Sequence, residues 1–148
     1  MTPAHELRGA GLRVTGGRMA LLDAITSRPH SDAESLFRAL KKALPSLSVQ
    51  SVHNMLRDLS DAGLLRRIEP AGSAARYERR TGDNHHHLVC ISCKSIVDVD
   101  CVEGKAPCLT PSDAAGYAVT MAEVTFWGLC ASCQDLPSRT DIPQATHN

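Results

Sequence analysis

Ser48-Val49-Gln50-Ser51-Val52-His53-Asn54-Met55-Leu56-Arg57-Asp58-Leu59 is the stretch that decides how the front of this chain folds. Val52, Met55, Leu56 and Leu59 recur at helical spacing and predict one buried face. Ser48 has the side chain of an N-cap, and Gly63 stands where a C′ glycine would end the helix. On the other face Gln50, His53, Asn54 and Arg57 fall at i, i+3, i+4 and i+7. Such a stripe can donate to base edges and phosphates in a major groove. It can equally be the solvated side of a three-helix bundle, and the flanking sequence has to decide.

Two further amphipathic helices are predicted upstream. Met19, Leu21, Leu22 and Ile25 form one apolar face; Leu36, Phe37, Leu40 and Leu44 form another. Ser31 and Glu34 predict a capping box for the second of these, and Pro45 is expected to stop it. Downstream, Leu64-Leu65-Arg66-Arg67-Ile68 predicts a strand and Pro70-Ala71-Gly72-Ser73 a turn, with Ala75-Arg76-Tyr77-Glu78 returning. Three helices and a basic hairpin describe a winged helix-turn-helix with the third helix as reader. Charge supports a polyanionic partner. Through Arg80 there are 13 Lys/Arg against 8 Asp/Glu, whereas from Thr81 onward there are 3 against 8. A net charge of zero conceals this asymmetry.

All six cysteines lie in the acidic half. Cys90-Ile91-Ser92-Cys93 and Cys130-Ala131-Ser132-Cys133 supply four thiolates, the number a tetrahedral zinc needs. Two redox couples or buried thiols are the rival readings. The 36 residues between Cys93 and Cys130 exceed the interval of a contiguous zinc ribbon and predict a small strand-helix-strand unit whose ends zinc would join. No apolar run approaches a membrane span, and the first residues have neither the basic nor the apolar region of a signal peptide. A cytoplasmic location follows as the expectation, and with it metal binding rather than disulfides.

Thr81-Gly82-Asp83-Asn84 has the composition of a linker, and His85-His86-His87 follows it. In an extended segment His85 and His87 share one face and His86 takes the other. With Glu78, Asp98 and His30 they form a nitrogen-and-oxygen donor set suited to iron(II), manganese(II) or zinc. A solvated histidine cluster is the alternative. Cys101 and Cys108 flank a short loop and are candidate redox thiols or inert core residues.

The chain resembles the ferric-uptake-regulator (Fur) family of metal-dependent repressors, most closely its FurA/CatR, peroxide-responsive branch. The resemblance spans roughly Leu12 to Gln134. It rests on Leu12-Arg13-Val14-Thr15 with Arg18, Ser48-Val49-Gln50-Ser51-Val52, Ala62-Gly63-Leu64, Ala75-Arg76-Tyr77-Glu78, His85-His86-His87-Leu88-Val89-Cys90, Asp98-Val99-Asp100-Cys101 and Trp127-Gly128-Leu129-Cys130. It implies a V-shaped homodimer with paired winged helices on a palindromic operator of double-stranded DNA. It also implies a structural zinc on Cys90, Cys93, Cys130 and Cys133, and a regulatory iron(II) or manganese(II) on His30, Glu78, His85, His87 and Asp98. Metal binding would then favour a DNA-competent geometry. Arg13, Arg18, Ser51 and Arg76 join Gln50, His53, Asn54 and Arg57 as expected DNA contacts. Three positions depart from the family pattern: His53 stands where tyrosine is usual, Gly16-Gly17 is expected to loosen the start of the first helix, and Ala122 removes a ligand of a third metal site.

The expectation is therefore an α+β chain: a winged-helix domain over 1–80, a hinge over 81–86, an α/β dimerisation and zinc domain over 87–136, and a tail over 137–148. Its function is metal-dependent repression responsive to peroxide, without membrane or small organic substrate. Sensing of iron or zinc alone is the nearest alternative. An enzyme is disfavoured because a four-cysteine site leaves no position for water. A thiol redox protein and a zinc-stabilised adaptor are the remaining classes.

Overall fold

The computed structural model describes residues 1–101 and 109–135. Cys108 and the expected tail at 137–148 lie outside the described residues. The chain separates into two units, Met1–Asp83 and Asn84–Asn148.

The first unit holds helices α1 (Pro3–Gly9), α2 (Gly16–Ser27), α3 (Ala33–Lys41) and α4 (Val49–Asp61), with strands β1 (Ser31–Asp32), β2 (Arg66–Ile68) and β3 (Arg76–Glu78). Its core is built from the predicted apolar positions, among them Leu21, Leu22, Ile25, Leu36, Val52, Leu56 and Leu59. Ser48 caps α4 as expected, exchanging bonds with Ser51 in a reciprocal box. At the other end Gly63 has φ 73°; its N–H reaches Ser60 O, and the Leu64 N–H reaches Leu59 O. That is a Schellman stop, and only glycine takes this conformation without strain. Gly72 (φ 71°) closes the wing turn, where the Ser73 N–H bonds Pro70 O.

The local details around these helices differ in part from the reading above. The N-cap of α3 is Asp32, whose carboxylate accepts from the Ser35 N–H at 2.7 Å, while Ser31 instead donates to Arg28 O. Helix α3 ends at Lys41, and a last turn bonded by the Leu44 N–H to Leu40 O carries the chain up to Pro45, while Lys41 Nζ donates to Pro45 O and Leu47 O. The Gly16-Gly17 pair opens α2 directly after its Thr15 cap, and a Cβ on Gly17 would lie 3.2 Å from Met55 Sδ. Helix α1 was not anticipated, although Thr2 before Pro3 is a helix-start signal and Leu7 is fully buried. Strand β1 is too short for any periodicity to show; it completes a sheet ordered β1-β3-β2.

The second unit contains β4 (His85–Cys90), β5 (Ile96–Asp100), β6 (Thr125–Gly128) and a short α5 (Ala131–Gln134). Strand β4 is central, antiparallel to β5 and parallel to β6. Because β4 starts at His85, the last two residues of the expected 81–86 hinge belong to the sheet. Part of the predicted strand-helix-strand unit, 102–108, lies outside the described residues. Among the described residues between Asp100 and Thr125 there is no helix. No helix among the described residues is long and apolar enough to cross a membrane.

Candidate metal centres and nucleic-acid face

Two CxxC turns bring Cys90, Cys93, Cys130 and Cys133 together, each offering a sulfur within 4.8 Å of the others. Cys93 Sγ and Cys130 Sγ are 3.7 Å apart. Sulfurs at about 2.3 Å from a tetrahedral zinc would stand roughly 3.8 Å from one another, so the cluster fits that ion. The local fold prepares it. The N–H of Cys130 donates to Cys90 Sγ at 3.4 Å, and the Ser95 hydroxyl lies 3.2 Å from Cys93 Sγ. Bonds from the Cys130 and Cys93 N–H groups pull the Cys90 thiol down to about 6 against the opposing effect of burial. The Cys133 N–H lowers Cys130, but the thiols crowded around it prevail and push it up to about 11. Such a set releases its protons fully only to a cation. All four sulfurs lie within one small cluster, an arrangement that a single tetrahedral zinc can use.

The expected nitrogen-and-oxygen ligands fall two in the first unit and three in the second. In the first, His30 Nε2 lies 2.9 Å from Glu78 Oε2, and Glu78 is buried. His30 is held at φ 63°, a left-handed conformation that costs a non-glycine residue about 1–2 kcal/mol. In the second, His87 Nε2 and His85 Nε2 lie 3.6 and 3.9 Å from Asp98 Oδ1, all on one face of the sheet because His87 and Asp98 are cross-strand partners. Donors sharing one ion at about 2.1 Å stand roughly 3–3.5 Å apart, so both groups suit a divalent cation with slight adjustment. His86 is on the opposite face; its Nδ1 accepts the Val124 N–H at 3.2 Å. Cys101 is half-buried, and its N–H donates to Asn84 O; its expected partner Cys108 is outside the described residues.

Gln50, His53, Asn54 and Arg57 are all exposed and line a groove of about 590 Å³ between α4 and the wing, whose Arg67 and Ala75 form the facing wall. Gln50 Nε2 donates to Asn54 Oδ1, which presents the two amides as one unit. Arg13 is exposed. The other expected contacts are engaged internally. Arg18 bonds Asp58 (2.8 Å) and Arg13 O, bracing α2 against α4. The Ser51 hydroxyl serves the cap of its own helix. Arg76, expected at the DNA, is half-buried and directs its terminal nitrogens to His30 O and Ser73 Oγ. Sequence reasoning missed that role, and no spacing rule would have shown it.

The model of the ferric uptake regulator family matches residues 9–126. The chain belongs to the ferric uptake regulator family. It is a metal-dependent transcriptional regulator, not an enzyme. The transcriptional regulator FurA of Mycobacterium tuberculosis is 55% identical over 130 residues, 88% of each chain. The peroxide-responsive repressor PerR of Staphylococcus aureus is 33% identical over 136 residues, again 88% of each. Among solved structures, the Vibrio cholerae ferric uptake regulator superposes with a TM-score of 0.66 at 26% identity, covering 86% of this chain and 98% of that one. The winged-helix plus sheet architecture is thus the Fur fold.

Proposed function

We propose that this Fur-family chain is a homodimeric repressor of a palindromic operator, switched by a divalent ion and responsive to peroxide. The observation that carries the reading is the separation of donors by chemistry. One cluster is all sulfur and closed; the other residues offer only imidazole and carboxylate. Zinc takes the first. His30, Glu78, His85, His87 and Asp98 are the ligands of the second, for iron(II) or manganese(II). Gln50, His53, Asn54 and Arg57 read the major groove, and Arg13 contacts the backbone.

A second copy is the partner of the sheet. Leu88, Val97 and Phe126 are cross-strand neighbours on one face and are each about half exposed. A three-stranded sheet with an open apolar row gains most by pairing with its like.

Peroxide response is supported by the likeness to PerR and by the donor set. When bound, iron(II) supplies the reducing electrons for peroxide. An imidazole ligand such as His30 or His85 would then be oxidised, and its modification would remove the support for operator binding. The second reading is metal sensing alone, favoured by a ferric uptake regulation protein of Mycolicibacterium fortuitum that is 48% identical over 139 residues. Operator binding by zinc-loaded protein, with added manganese(II) or iron(II), before and after peroxide, separates the two. Release by peroxide with iron but not manganese, and oxygen gained on the His30 or His85 peptide, supports peroxide sensing. Binding that depends on the added metal but is unchanged by peroxide leaves metal sensing, and binding unchanged in every condition defeats the sensor reading. Oxidised cysteines with intact histidines would sink the histidine route.

A further inference from the structure

Arg76 sits on β3 between the wing turn and Glu78. Its Nη2 donates to Ser73 Oγ in that turn at 3.3 Å, and its Nη1 donates to the carbonyl of His30 at 3.1 Å. His30 occupies the left-handed region, which a non-glycine residue keeps only when its surroundings over-determine it. Three groups of one strand do so here. Tyr77 O accepts the His30 N–H at 2.9 Å, Arg76 holds the His30 carbonyl, and Glu78 Oε2 meets the ring nitrogen at 2.9 Å. The Tyr77 bond is backbone, and Glu78 is itself an expected ligand. Arg76 is therefore a side chain that holds His30 without belonging to the donor set.

We propose that Arg76 is a positioning residue for the regulatory metal, locking His30 in the conformation that sets its ring against Glu78 and tying that ligand to the wing turn. The proposal rests on the reading of His30 and Glu78 as regulatory ligands. Without the guanidinium, the His30 peptide relaxes toward an ordinary conformation and its ring leaves Glu78. By linkage, whatever steadies the wing turn also raises affinity for the ion, and the ion steadies the turn.

The test uses full-length, zinc-replete protein. Manganese(II) affinity is measured by competition with a chelating dye, and the visible spectrum of cobalt(II) at the regulatory ligands is recorded. Operator binding at saturating manganese is followed across salt concentrations. Arg76→Ala is expected to weaken manganese binding about tenfold and to change the cobalt spectrum, with the salt slope of operator binding unchanged. Arg76→Lys, which retains one donor, recovers part of the affinity. Unchanged manganese affinity with a salt slope smaller by about one would overturn the proposal and make Arg76 a phosphate contact. If Arg76→Ala does not fold, Arg76→Lys decides: native cobalt spectrum and manganese affinity would likewise overturn it. His30→Ala separates the two levels. If it leaves manganese affinity intact, the ligand reading itself fails; if it abolishes binding while both Arg76 variants bind normally, only the positioning role falls.

Discussion

Asp32 shows how much a single side chain can decide. Its carboxylate caps α3 and is held below the usual carboxylate range. Burial opposes this, but the Ser35 N–H bond and the charges of Arg76 and Arg38 outweigh it. A depressed folded value means that the contribution is present above the unfolded value near 3.8 and is lost as pH falls through the folded one. Asp32→Ala is therefore expected to cost about 1 kcal/mol at pH 6 in urea denaturation. The gap to wild type should narrow below pH 4. Asp32→Asn keeps an acceptor, so a variant as poor as Ala at pH 6 would refute the capping account. Legibility at this scale was uneven. The four cysteines and the zinc they imply were readable because CxxC spacing is a local rule. Asp32 was missed for Ser31 because neighbouring cap residues compete, and only the backbone decides which one enters the helix. His30 was named as a ligand, yet its left-handed backbone and its brace by Arg76 depend on a strand 46 residues away.

Helix α4 separates its two duties by face. Leu56 is fully buried, and Asn54 beside it is exposed. Truncating Leu56 to Ala should cost about 2–5 kcal/mol of stability, through lost burial and a residual cavity. Asn54→Ala should leave thermal unfolding in place and lower discrimination at one operator position by about 1–3 kcal/mol. Loss of binding to specific and random DNA alike would instead make Asn54 a backbone contact. The amphipathic pattern revealed this helix, its cap and its stop, because periodicity, Ser48 and Gly63 agree. Strand β1 and the coil between β5 and β6 were not legible. A two-residue strand has no period, and the 36-residue interval between the CxxC pairs suggested a helix where the described residues have none.

At the scale of the whole chain, the two units are stabilised by different means. The first encloses a leucine-rich core. The described residues of the second form a small sheet and a four-residue helix, and the proposed zinc would supply stability that so small a core cannot. A bond between the two CxxC turns closes 36 residues, and chain entropy alone values such a closure at about 4 kcal/mol. Chelation, or Cys93→Ser, should therefore abolish hydrogen-exchange protection in β4, β5 and β6 while leaving α2, α3 and α4 protected. Simultaneous loss in both units would show that the first depends on the zinc as well. Composition and charge pointed to two domains, since the basic and the cysteine-bearing halves meet near residue 80.

The parallel pairing of β4 with β6 has a consequence for synthesis. Strand β4 ends at Cys90, but its neighbour begins only at Thr125, and the last two sulfurs come later still. A chain leaving the ribosome at about 5–20 residues per second completes its winged helix seconds before the sheet has all its strands. During that interval the nascent protein presents a finished reading head and a strand of three histidines that has β5 on one side and no β6 on the other. Zinc supply would then govern how quickly newly made chains mature.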